Sequence, residues 1–477
     1  MSGAKQPSRA RQTKRLRKKR SAAVSSRRER ALALELVEAG GAKAIHRVVL
    51  KILAEIGVII EHDGTRKLLT DAGCAQGDDG YVRIPPDQVE RALETVPSKI
   101  LLYDQNGKVR VDTESRVTTY CPGHNCVRVL DHQSGELRPG VLDDIIRTAK
   151  VSEQLPNLDM VCTLGYPTDI PAEDEAVESS RAMLEHSAKP SAILAHDEVI
   201  QERILTLMAA VSGGWGNLAD KPITLELMGP VSPLRFPDEL CLRLINCARW
   251  RIPVVCYPAT FPGMSCPVTT AGSVAQSSAE AIAGIVIHQL VEPGAPVMSG
   301  SAVLPMDMRQ ADLAYGSPEY MLAGLAAADY FKTIGVPAWI GAGCSDSHDF
   351  DAQAAAEAGA NLAIAAMAST PFVHNLGFLS GGRTGSLEML VLCDELIGWS
   401  TRMGAGCELD DDAIAYEVVK RAAPDNSFLT DQHTQDRYLT ENWYPNLLER
   451  SDADAWLERG AVDLRGRIRQ RLDELLG

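Results

Sequence analysis

From about residue 141 onward, short apolar runs alternate with longer stretches of helical periodicity. The runs fall at 160–164, 191–194, 223–227, 254–257, 296–298, 338–340 and 372–375. Between them, at 171–186, 199–211, 237–250, 273–291, 318–335, 352–369 and 386–403, apolar residues recur at helical spacing. Strand and helix in regular alternation predict a parallel sheet covered by helices. Seven or eight such units over this length predict an α/β fold of the (β/α)8 TIM-barrel type. No GxGxxG follows an early strand, which argues against a dinucleotide-binding sheet.

Before residue 141 the pattern differs. Val48, Val49, Ile52, Leu53, Ile56 and Val58 lie at helical spacing within 46–60, and Pro85-Pro86 opens a further helix over 87–95. Over 100–140 the pattern turns to alternation, which predicts β-hairpins. The final fifty residues read as helical and charged, with an exposed tail at 462–476. The predicted organisation is a basic arm at 1–30, a helical and hairpin region at 31–140, the barrel at 141–430 and a C-terminal helical extension at 431–477.

Composition adds limits. Of 477 residues 45% are hydrophobic, enough for a large core, and the net charge is −15. The first thirty residues hold twelve Lys or Arg against one acid, Glu29, a local balance of +11 that leaves −26 on residues 31–477. An acidic body is a poor ligand for nucleic acid, which requires clustered positive charge. The arm reads as a solvated tail. No apolar run is long enough for a membrane span, and no signal-peptide core follows the arm. The eleven cysteines are scattered without a CxxC pair, as in a reduced cytoplasmic protein.

The chemistry is expected where each apolar run ends, since barrels carry their sites at the C-terminal ends of strands. Glycine, proline and polar residues gather there: Gly165-Tyr166-Pro167, Tyr257-Pro258, Ser299-Gly300-Ser301, Gly341-Ala342-Gly343-Cys344-Ser345-Asp346-Ser347-His348 and His374-Asn375-Leu376-Gly377. The densest is the loop around Asp346 and His348. Its acids and histidine lack a known metal-ligand spacing, so no metal is assigned. Cys344 has no local activating partner and no GxSxG occurs. Asp346 reads equally as the N-cap of the helix that follows.

Several stretches carry a family resemblance: Met228-Gly229-Pro230-Val231-Ser232-Pro233-Leu234, Glu280-Ala281-Ile282-Ala283-Gly284, Pro293-Gly294-Ala295-Pro296-Val297, Tyr315-Gly316-Ser317-Pro318-Glu319, 343–353, Asp394-Glu395-Leu396-Ile397-Gly398, His433-Thr434 and Trp443-Tyr444-Pro445. Through them the chain, from about residue 35 to its end, resembles the trimethylamine methyltransferase family. The resemblance implies a (β/α)8 barrel that moves a methyl group from a methylated amine to a corrinoid (cobalamin) carried by a partner corrinoid protein. A homo-oligomer is expected. Founding members use pyrrolysine, which this sequence lacks, and Gly316 is the best match for its position. Members without pyrrolysine resemble quaternary-amine demethylases, so a glycine betaine-like small molecule is the expected substrate.

On this reading Asp346, His348 and Gly316 form the reaction centre. Tyr120, Tyr166, Tyr257, Phe261, Tyr315, Trp339 and Phe378 supply aromatic walls for a trimethylammonium head. Asp346 or Glu319 faces the cation, and His348, His374 and Arg383 hold a carboxylate. Other readings are a tertiary-amine methyltransferase, a barrel lyase or decarboxylase, and a non-catalytic binder of quaternary amines.

Overall fold

The computed structural model describes residue 29 and residues 31–477, apart from Ser301, Ser369 and Asn426. The basic arm at 1–30 therefore lies outside the described residues save Glu29. Seven parallel strands form one sheet, in spatial order Thr119–Pro122, Phe372–Leu376, Ala338–Gly341, Val297–Gly300, Val254–Cys256, Thr224–Met228 and Ser191–Ile193. The segment 159–165 closes this sheet into a barrel. The Asp159 amide donates to the Tyr120 carbonyl at 2.9 Å, and the Ala192 amide donates to the Val161 carbonyl at 3.0 Å. Helices follow each strand in turn, beginning with Leu142–Gln154 after the first and ending with Leu387–Gly404 after the last. This is the expected (β/α)8 arrangement.

The barrel begins earlier than the pattern predicts. Thr119–Pro122 is its first strand, well before residue 141. Two of its four side chains, Thr119 and Tyr120, are polar or amphipathic, and all four are buried, so alternation with polar neighbours never marks it. The helix expected over 46–60 also ends early. Ala39–Lys51 is α-helical and Ile52–Ile56 continues as a π-turn. Gly57 then adopts φ +88°, where a Cβ would lie 2.5 Å from the Val82 carbonyl oxygen. The β-branched run Val58–Ile60 pairs instead with Tyr81–Arg83 and with Arg235–Phe236.

The expected hairpin is Leu101–Tyr103 with Val109–Asp112, and it closes the bottom of the barrel. The Tyr103 amide donates to the Pro222 carbonyl and the Gln105 amide to the Ala188 carbonyl, both just upstream of barrel strands. Leu102 and Val111 enter the barrel core with Cys121, Met160, Leu225, Met298, Trp339 and Phe372. Burying such side chains stabilises the seal by about 2 kcal/mol each.

The stretch 462–476 is not an exposed tail. Helix Leu464–Leu476 buries Ile468, Leu472 and Leu475. Arg465 and Arg469 both pair with the fully buried Glu388, at 3.0 and 2.7 Å. The charged sequence conceals a narrow apolar stripe of i, i+4, i+7 spacing that packs the chain end on the barrel.

Candidate functional site at the C-terminal mouth of the barrel

Side chains two apart on a strand share a face. Cys121, Met298 and Trp339 face the lumen, so Gly123, Gly300 and Gly341 face it as well, one step nearer the mouth. At Gly123 and Gly341 an aromatic ring or its hydroxyl takes the space a side chain would fill. A Cβ on Gly123 would lie 1.9 Å from the Phe378 ring, whereas one on Gly300 would meet the Trp339 carbonyl oxygen at 2.1 Å before the Tyr257 ring at 3.0 Å. A Cβ on Gly341 would lie 1.8 Å from the Tyr320 hydroxyl. Outside the strands, Gly382 (φ +82°) leaves room for Tyr315, 3.2 Å from its would-be Cβ.

The rings meet one another. Tyr257 stands edge-on to His374 with centroids 5.2 Å apart. His374 stacks on His124 at 5.9 Å, and His124 lies 6.2 Å from Phe378. Tyr315 meets Phe378 edge-on at 6.2 Å and Tyr320 at 5.0 Å. Beneath them the Trp339 indole N–H donates to His374 Nδ1. His374 Nδ1 also lies 3.2 Å from the Ile340 carbonyl oxygen. Burial pushes the His124 pKa down to about 4 and holds His374 well below its ordinary value, with His124 adding to the latter. Both rings are neutral at pH 7. Burial raises the phenols of Tyr257, Tyr315 and Tyr320, which stay protonated.

Buried polar atoms without hydrogen-bond partners gather here: His124 Nδ1, the Tyr257 hydroxyl and Asn375 Oδ1. Such atoms are costly in a finished core and ordinary in a site that awaits a ligand. The backbone is strained at the same end. Asn125, Leu164, Asn375 and Ser380 all have φ between +49° and +75°.

The residues singled out by sequence divide into those within this group and those outside it. Tyr257, Tyr315, Trp339, His374 and Phe378 belong to it. Asp346 stands behind it: Oδ2 accepts from the Gly316 amide at 2.9 Å, fixing the turn that carries Tyr315. Its other oxygen is buried without a partner, and burial, with the neighbouring Glu357, raises its pKa. Asp346 is not the helix N-cap; Asp351 is, accepting from the Ala354 amide. Gly316 has no room for a side chain, since a Cβ would lie 2.2 Å from the Glu357 carboxylate.

The others lie apart. His348 is exposed, with Nδ1 3.0 Å from the Ser380 hydroxyl. Arg383 is committed to Asp312 at 2.7 Å. Glu319 is exposed on the first turn of helix Pro318–Thr333. Tyr120 alternates with the lumen-facing Cys121 and packs toward the helices. Phe261 is half-buried in the loop after Val254–Cys256, and Tyr166 lies near the buried Glu175. Three residues of the group escape sequence reasoning: His124, Tyr320 and Asn375. Tyr320 reads as an ordinary core position of a helix. The signal available for it was the lumen glycine opposite, Gly341. Among the described residues no group of three or more His, Cys, Asp or Glu could hold a metal ion.

The model of the trimethylamine methyltransferase (MTTB) family matches residues 4–477, and the chain belongs to that family of methyltransferases. Over 434 residues it is 27% identical to a glycine betaine methyltransferase of Desulfitobacterium hafniense (strain Y51), covering 91% of this chain and 90% of that protein. It is 28% identical over 447 residues to trimethylamine methyltransferase MttB of Methanosarcina barkeri, covering 91% and 89%. The crystal structure of the Methanosarcina barkeri monomethylamine methyltransferase (MtmB) aligns over 96% of this chain and 92% of its own, with 11% identity and a TM-score of 0.47.

Proposed function

We propose that the chain demethylates a quaternary amine of the glycine betaine type and passes the methyl group to cobalt(I) of a corrinoid held by a partner protein. The observation that carries this reading is the ring group at the mouth, with its histidines neutral and its phenols protonated. Aromatic faces attract a trimethylammonium head, by about 0.5–2 kcal/mol per ring when desolvated. Identity does not separate the betaine relative from the trimethylamine relative, so the site must decide.

A quaternary nitrogen is already a good leaving group. The N–CH3 bond breaks, its electron pair stays on nitrogen, and the product departs as a neutral tertiary amine with no proton transferred. A site whose histidines are neutral and whose phenols hold their protons suits that step. Trimethylamine would instead have to be held protonated, and the ring group itself contains no carboxylate to hold that proton. Cobalt(I), when bound, supplies the electron pair for the new bond to carbon. The chain binds the head, aligns one methyl outward and excludes water. The rim fits a bulky acceptor: Met264, Val268 and Met308 are 67, 68 and 65% exposed on the loops beyond Val254–Cys256 and Val297–Gly300.

We place the protein in the cytoplasm, in keeping with cysteines that are free and, apart from Cys407, buried. No helix among the described residues is long and apolar enough to cross a membrane. An assembly of like subunits accords with the exposed Leu409, Tyr416 and Leu429 near the C-terminus. The test is incubation of glycine betaine, proline betaine, carnitine and trimethylamine with the protein and cobalt(I) cobalamin, followed by absorbance. Methylcobalamin is expected from a betaine. Its formation from trimethylamine alone, or from none of the four, overturns the reading.

A further inference from the structure

We propose that Tyr320 and Tyr257 form a two-hydroxyl fork that binds the carboxylate of a zwitterionic substrate, so that the site takes betaines in preference to simple tetraalkylammonium ions. The inference rests on the function proposed above and names the groups that read the anionic end of the substrate.

Tyr320 belongs to helix Pro318–Thr333, outside the barrel. Its hydroxyl reaches inward through the gap left by Gly341, and the same gap admits the Asn375 amide, 2.6 Å from the would-be Cβ. Asn375 Nδ2 donates to the Tyr320 oxygen at 2.7 Å. That bond uses the hydroxyl as acceptor and leaves its proton to be given elsewhere. The Tyr257 hydroxyl is beside it, within reach of Tyr320 and of no other hydrogen-bond partner among the described residues. Two phenols, each with one proton, face one another. Whichever donates to the other, one buried phenolic proton remains without an acceptor, at the price of a desolvated donor.

The missing partner is therefore an acceptor. Asp346 stands by Tyr315, with Oδ2 held by the Gly316 amide and Oδ1 buried without a partner, and Arg383 and Asp312 bind each other. A carboxylate accepts two hydrogen bonds at once, and bonds to an ionised acceptor are about twice as strong as neutral ones. The Tyr315 ring, in contact with both Tyr320 and Phe378, stands with Phe378 where the cationic end of the same molecule would lie.

The experiment is calorimetric binding of glycine betaine and of tetramethylammonium to the full-length protein, wild type and the variants Tyr320→Phe and Tyr257→Phe. Both variants keep the ring, and their melting temperatures report folding. Glycine betaine affinity is expected to fall at least tenfold in each variant while tetramethylammonium affinity stays within twofold. Equal losses for both ligands, or no loss for glycine betaine, overturn the fork while leaving the betaine reading intact. Wild-type protein that binds neither ligand overturns the function itself. If neither variant folds, Asn375→Asp, which removes the donor to Tyr320, takes their place and is held to the same two outcomes.

Discussion

The Tyr320 hydroxyl occupies the position that a side chain on Gly341 would take, 1.8 Å from its would-be Cβ. A helix outside the barrel thereby contributes a polar group to the lumen, and strand and helix are matched at a single point. Gly341→Ala is expected to displace Tyr320 and Asn375, to cost about 1–3 kcal/mol through overpacking, and to reduce methyl transfer more than tenfold. Melting curves and methylcobalamin formation measure the two effects, and wild-type activity in a folded Gly341→Ala protein would contradict the assignment.

Asp346 offers a test of position against charge. If it serves by anchoring the Gly316 amide, Asp346→Ala should raise KM for a betaine with little change in kcat. Asp346→Asn, which keeps an accepting oxygen, should restore most of the affinity. Were its charge to face the cation instead, the Asn variant would be as poor as the Ala variant. Steady-state kinetics with the three proteins separate these outcomes.

Truncating either aromatic that flanks the proposed ammonium position is expected to weaken binding of tetramethylammonium. Tyr315→Ala and Phe378→Ala should each lower affinity by roughly 2- to 30-fold, the range for one cation–π contact of about 0.5–2 kcal/mol. Titration calorimetry checks this, and retention of full affinity in both variants would place the cation elsewhere.

Glu388 is fully buried between Arg465 and Arg469, whose side chains are 28 and 37% exposed. Removing the acid leaves two arginines that can turn to solvent, which moderates the loss expected for a broken buried pair. Glu388→Ala should cost about 2–3 kcal/mol and free helix Leu464–Leu476 to protease before the barrel unfolds. Denaturant titration and timed proteolysis read both, and undiminished protection of the C-terminal peptide would show that the apolar stripe alone suffices.

His288 supplies a pH dependence remote from the mouth. It is fully buried, and burial pushes its pKa down to about 3. The unfolded chain takes up a proton below pH 6.5 while the folded chain does not, so stability present above 6.5 is lost progressively as pH falls toward 3. His124, pushed down to about 4, acts in the same sense. The melting temperature should therefore drop between pH 6.5 and 4, and less steeply in His288→Gln. Parallel curves for the two proteins would refute the assignment.

Much of the barrel is legible in the sequence because its strands are buried on both faces and read as compact apolar runs. Val254–Cys256 and Phe372–Leu376 stand out for that reason. Thr119–Pro122 does not, since threonine, tyrosine and proline carry it. Most of the aromatic group is also legible: Tyr257 and His374, for example, directly end or follow such runs. Tyr320 is not, since its helix is apolar on nearly every side and periodicity cannot tell which residue reaches through the sheet. His348 looked central because its loop is the most polar in the chain. The loop owes that polarity to capping by Asp351, to anchoring by Asp346 and to the ion pair of Asp349 with Arg465.

Because the hairpin closes the lower end of the barrel, the described residues leave the mouth as the side from which the ring group is approached. For the reaction proposed, amine and acceptor must then queue: the amine enters first, the acceptor closes over it, and the demethylated product departs only after the acceptor has withdrawn. Such a geometry dictates a compulsory order of encounter, in which excess acceptor slows turnover by arriving too soon.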